Sequence, residues 1–96
     1  MSATRAGSRR SIVVGSRRES CDVWTVDTTV SGMHARITQL DDGRFMIEDL
    51  GSLNGTWLTN PLASGVVRVM APTPAVMAPG TRIRLGACSL PWSVDR

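Results

Sequence analysis

Ser31, His34 and Asp49 are the side chains of this chain whose types could supply a nucleophile, a base and an orienting carboxylate, and His34 is its sole histidine. Acyl transfer by such a set needs a serine exposed on a sharp strand-to-helix turn and backbone amides facing the developing oxyanion. Neither is legible around Ser31, so hydrolysis is a remote reading. All eleven basic residues are arginine, which leaves no lysine for a Schiff base, a general base or a phosphate loop. Cys21 and Cys88 lie far apart with no C-x-x-C spacing, so no zinc site is expected. We expect two reduced thiols, at least one of them buried as a small apolar group, with a mutual disulfide as the lesser alternative. The expectation is therefore a protein without catalysis, metal or cofactor.

Arginine does suit another chemistry, a forked grip on a doubly charged oxygen group. Arg17, Arg18, Ser31 and Asn54 all fall between apolar runs, where loops are expected. The runs themselves are short and β-rich: 12–14, 23–26, 35–40, 44–48, 56–58, 66–70, 82–85 and 89–94. Ala35 and Ile37 alternate with Arg36 and Thr38; after Asp41-Asp42-Gly43, Phe45 and Ile47 alternate with Met46 and Glu48. That pattern predicts a hairpin closed by a glycine turn. Pro91 cannot donate to a ladder, which places the last strand at an edge or turns position 91 outward. Residues 71–80 contain three prolines and no charge and read as a long loop. Many short strands with Gly, Asn and Asp turns predict an all-β sandwich. Trp24, Trp57 and Trp92 fall in the strands and are expected in the core, with a docking surface as the alternative for Trp57.

The 96 residues carry a formal charge of +3, which at first suggests a nucleic-acid partner. Residues 1–18 hold five arginines and no acid, whereas residues 19–96 hold six arginines and eight acids. The excess thus sits at one end. Residues 1–10 lack apolar periodicity and read as a basic flexible tail or a weak first strand, ahead of a single domain over 11–96. Arg5, Arg9 and Arg10 are expected to be solvated, so no nucleic-acid partner is expected beyond a low-probability tail contact. No apolar stretch is long enough for a membrane span or a secretory signal, and a cytoplasmic location is expected.

From Val13 to Gly86 the chain resembles the forkhead-associated (FHA) domain. The matching pieces are Val13-Val14-Gly15-Ser16-Arg17, Cys21-Asp22-Val23, Val30-Ser31-Gly32-Met33-His34-Ala35, Ile47-Glu48-Asp49-Leu50-Gly51-Ser52-Leu53-Asn54-Gly55-Thr56 and Pro79-Gly80-Thr81-Arg82-Ile83-Arg84-Leu85-Gly86. The resemblance implies an FHA-like sandwich of two mainly antiparallel sheets whose loops at one end dock a phosphothreonine segment of a partner protein. A phosphothreonine brings about −1.5 to −2 charges and three acceptor oxygens, which call for cationic and neutral donors. By resemblance, Arg17 and Ser31 hold the phosphate and Asn54 holds the peptide backbone, with Ser16 and Arg18 as further candidates. Gly15, His34, Gly55 and Thr56 support the site, His34 as a buried brace.

Three positions depart from the family pattern. Ser16 stands between Gly15 and Arg17, so the loop is one residue longer; Gly32 follows Ser31 where arginine or another polar residue is usual; Leu53 precedes Asn54 where a hydroxyl is usual. The competing reading is a phosphate-independent scaffold or assembly domain, such as those of bacterial secretion-system ring proteins. The stretch before Gly15 is also short for the family, and an incomplete sheet edge of this kind is expected to admit a second copy as a homodimer.

Overall fold

The computed structural model describes residues 10–60 and 65–93, with side chains through residue 90. The expectations for residues 1–9, for Val94 and for the Trp92 side chain lie outside the described residues. Nine strands are formed: β1 (Arg10–Gly15), β2 (Val23–Trp24), β3 (Ala35–Gln39), β4 (Phe45–Asp49), β5 (Thr56–Thr59), β6 (Val66–Val69), β7 (Ala75–Met77), β8 (Arg82–Leu85) and β9 (Cys88–Ser93). A single turn of 3-10 helix covers Arg18–Ser20. One sheet has the order β2-β1-β3-β4-β7 and the other β6-β5-β8-β9. Every pairing is antiparallel except that of β1 with β2. The sandwich expected from the sequence is thus the fold.

Strand parity explains the core. Val14, Ala35, Ile37 and Ile47 point inward from the first sheet and meet Leu58, Val69, Ile83, Leu85 and Leu90 of the second, with Val30 and Met77 closing the sides. Each of these side chains except the small Ala35 contributes about 1.5–3 kcal/mol on burial. The expected hairpin forms, with Gln39 opposite Phe45 and Gly43 at φ +88° in the turn. β9, which carries Pro91, is an outer strand among the described residues, as expected of a proline-bearing strand.

Three expectations are corrected. The proline-rich stretch 71–80 is not all loop: Ala75–Met77 pairs with β4, Met46 opposite Val76. Its prolines flank the strand rather than interrupt it, and Met77, 2% exposed, is drawn into the core. The run 23–26 is a strand only over its first two residues, because Asp27 accepts from the Thr29 amide and hydroxyl and turns the chain. The two tryptophans whose side chains are described do not pack in the core. Trp24 is 45% exposed, and Trp57 faces outward because its neighbours Thr56 and Leu58 take the inward positions.

Candidate functional site

The loops after β1, after β2 and after β4 meet at one end of the sandwich. The Ser16 amide donates to Ser31 O and the Arg17 amide to Gly32 O, both at 3.0 Å. This approach is so close that a β-carbon on Gly15 would stand 2.3 Å from Gly32 O. Glycine is therefore required there by space, not only by turn geometry. The Cys21 thiol also donates to Gly32 O, at 3.1 Å; both cysteines are free and half-buried.

His34 is wholly buried and joins two loops. Its Nδ1 accepts the Ser31 amide at 3.0 Å, which leaves Nε2 to carry the proton and donate to Gly55 O at 2.8 Å. Both ring nitrogens are thereby used on backbone. Ser31 Oγ accepts from the Leu53 amide at 3.1 Å, so its own hydroxyl proton remains to be donated. The triad reading fails on these bonds: Ser31 Oγ is paired with Leu53 rather than with the imidazole, and Asp49 bonds elsewhere.

Asp49 organises the third loop. It accepts from the Ser52 hydroxyl at 2.5 Å, the Ser52 amide at 2.9 Å, the Gly51 amide at 3.1 Å and the Thr56 hydroxyl at 2.6 Å. Burial alone would raise its carboxyl, but the hydrogen bonds from Ser52 and Thr56 outweigh burial and hold it below its ordinary value. Ser52 Oγ then accepts the Gly55 amide at 3.0 Å. Gly55, at φ +91°, completes a backbone shape that a side chain would strain.

Asn54 lies on the exposed rim and donates through Nδ2 to Thr29 O at 2.9 Å. That bond uses one of its two amide protons and leaves Oδ1 open. Thr29 Oγ1 accepts from the Ala87 amide at 2.9 Å, and the Gly86 amide donates to Gly55 O at 2.9 Å. The turn between β8 and β9 is thus tied to the same cluster. Asp27, Thr29 and Ser52 are framework residues that the sequence reading did not single out. Their signal was present as Asp-x-Thr and Asp-x-x-Ser, spacings at which a carboxylate bonds the backbone two or three residues on.

The two candidate arginines point to different places. A β-carbon on Gly32 would lie 3.3 Å from Nη2 of Arg17 and 3.5 Å from its Cζ, so the guanidinium lies across the Ser31-Gly32 turn. Arg18 instead stacks over Trp24, its Cζ 5.3 Å from the ring centre. The ion pairs among the described residues, Arg36 with Glu48 and Arg44 with Asp42, involve neither. Arg17, Ser31 and Asn54 thus bring a guanidinium, a hydroxyl proton and an amide to loops that are hydrogen-bonded to one another. Among the described residues no group of three or more His, Cys, Asp or Glu side chains is placed to hold a metal ion.

A family model, the FHA domain, matches residues 12–86. The chain belongs to the FHA family. FHA domains are interaction modules, and the match takes in the loops after β1, β2 and β4. The chain is 35% identical over 71 residues to the glycogen accumulation regulator GarA of Mycolicibacterium smegmatis, covering 73% of this chain and 38% of that protein. It therefore spans well under half the length of that relative. Among solved FHA structures, the FHA domain of CT664 from Chlamydia trachomatis superposes with a TM-score of 0.68 at 26% identity, covering 81% of this chain and 70% of that one. The N-terminal FHA domain of S. cerevisiae Rad53p, in complex with a phosphothreonine peptide, superposes with a TM-score of 0.64 at 26% identity over 80% of this chain and 56% of that one.

Proposed function

We propose that this FHA domain is a non-catalytic docking module for a phosphothreonine-containing segment of a partner protein, acting in the cytoplasm without a cofactor. The observation that carries this reading is the position of the Arg17 guanidinium across the turn that presents the Ser31 hydroxyl proton. A charged fork and a neutral donor on adjacent loops suit the three oxygens of a phosphate. Asn54, anchored to Thr29 on the facing loop, is placed to hold the peptide backbone beside it. Gly32 and Leu53 offer no donor, so Arg17 supplies from the first loop the charge that the second loop lacks. Ser16 and Arg18 line the same loop in secondary roles, while Gly15, His34, Gly55 and Thr56 hold the loops in register. Support from the comparisons lies in the phosphothreonine peptide held by the Rad53p domain.

The test is a phosphothreonine peptide library titrated against the domain, with each hit repeated unphosphorylated. Hits that lose binding on dephosphorylation support the reading; equal binding of both forms overturns it in favour of a phosphate-independent scaffold. The homodimer is part of the proposal, on the ground that β9 is an outer strand among the described residues. A concentration-independent monomer by light scattering overturns that part alone.

A further inference from the structure

The outer face of the four-stranded sheet has one sign of charge. On β5, β6 and β8, strand parity and register place Trp57 between Arg68 and Arg84, and Thr59 between Val66 and Arg82. The three arginines therefore project from one face, the side opposite the buried Leu58, Ile83 and Leu85. Trp57 is met on its ring by both neighbours, with Cζ of Arg68 at 5.2 Å and Cζ of Arg84 at 5.1 Å. None of the three has a carboxylate partner among the described residues. The sequence explains why: after Asp49 the next acid is Asp95, so β5, β6, β8 and β9 contain none.

This face is continuous with the phosphopeptide site. The Trp57 indole N–H donates to Asn54 O at 3.2 Å. A β-carbon on Gly55 would lie 3.0 Å from Nε of Arg68 and 2.9 Å from Nε1 of Trp57. The arginine ladder thus begins directly beneath the Asn54-Gly55 turn.

We propose that the outer face of the β6-β5-β8 ladder is a second contact surface, which receives an acidic stretch of the partner protein flanking its phosphothreonine. The phosphothreonine anchor rests on the function proposed above; the surface itself rests on the arginine ladder. Charge complementarity selects an acidic occupant, and a protein segment is favoured over nucleic acid because two guanidiniums already occupy the Trp57 ring, where a base would have to displace one to stack. Exposed ion pairs are individually weak, so three of them acting together predict a gain of about five- to fiftyfold in affinity at low salt. The gain fades as salt screens it.

The test uses the full 15N-labelled chain and four probes: a phosphothreonine peptide with a glutamate-rich extension, the same peptide with a glutamine extension, the unphosphorylated glutamate-rich peptide, and a single-stranded oligonucleotide of equal charge. The glutamate-rich phosphopeptide is expected to bind about five- to fiftyfold tighter than the glutamine version and to shift the Trp57 indole resonance as well as those of Ser31 and Asn54. The unphosphorylated acidic peptide is expected to shift the Trp57 indole alone. Arg82→Gln, which breaks no contact with Trp57, should remove part of the gain and leave binding of the glutamine version unchanged; Arg68→Gln with Arg84→Gln should remove most of it. Equal affinity for the two extensions, or no movement of the Trp57 indole with either acidic peptide, overturns the proposal. A stronger response to the oligonucleotide than to the acidic peptide overturns it in favour of nucleic acid. If Ser31 and Asn54 stay still with every phosphopeptide while the Trp57 indole moves with the acidic ones, the phosphothreonine reading fails and the surface stands.

Discussion

The Arg17 guanidinium lies across Gly32, close enough that even a methyl group on Gly32 would stand 3.3 Å from Nη2. The bare backbone at Gly32 thereby leaves room for the Arg17 guanidinium to lie there. Arg17→Ala removes the guanidinium that lies across that turn and is expected to weaken phosphothreonine peptide binding by tenfold or more, since a hydrogen bond to a charged group contributes about 1.5–3 kcal/mol. Arg18→Ala, which releases Trp24 instead, should cost much less. Calorimetric titration of both variants with one phosphopeptide checks the ranking, and equal losses contradict it.

Gly32→Ala tests the same contact from the other side. The added carbon displaces the guanidinium without removing it, so a loss of about two- to tenfold in affinity is expected, with thermal stability changed by less than about 1 kcal/mol. An affinity equal to that of the parent protein would show that Arg17 reaches phosphate by another path.

Ser31→Ala takes away two things at once, the donor offered to phosphate and the acceptor of the Leu53 amide. It should lower both affinity and stability, the latter by about 1 kcal/mol. Asn54→Ala loses the bond to Thr29 O on the rim, and its effect on binding should exceed its effect on melting. Comparison of melting temperature with dissociation constant for the two variants separates these roles.

Asp49 gives the fold a pH dependence of known sign. Its carboxyl is held below its ordinary value of 3.8, so the stability it contributes is complete above that value and is lost as pH falls through the lower value in the folded protein. Asp49→Asn should destabilise the domain at neutral pH and flatten this part of the acid limb. Urea midpoints of the parent and variant, measured from pH 7 down to pH 2, are expected to converge at the acid end.

Phosphopeptide affinity has a pH dependence of separate origin. The second ionisation of phosphothreonine lies near pH 6, so the ligand loses charge as pH falls. Affinity should decline between about pH 7 and pH 5, where the fold is intact. A flat profile would mean that the monoanion and the dianion are bound equally well.

Much of the site was legible because it is local in sequence. Ser31 and His34 stand three residues apart and the Asn54-Gly55 turn is short, so residue types placed them in loops and the family resemblance carried by their spacing made those loops neighbours. The aim of Arg17 and Arg18 was not legible, since a long side chain in a loop goes where its neighbours leave room: to Gly32 in one case and to Trp24 in the other. The strand at Ala75–Met77 was hidden by prolines that flank it and by its dependence on β4 for pairing. Trp57 was misplaced because hydrophobicity argued for the core, whereas the parity of Thr56 and Leu58 decided the face.

The bonds from Ala87 to Thr29 and from Gly86 to Gly55 bring the far sheet into the loop cluster. Since the loop cluster is held by residues from both halves of the sandwich, a ligand bound on it would brace the whole fold. A phosphopeptide at one hundred times its dissociation constant would stabilise the domain by about 2.7 kcal/mol. Phosphorylation of the partner would then set the lifetime of this small domain as well as its location.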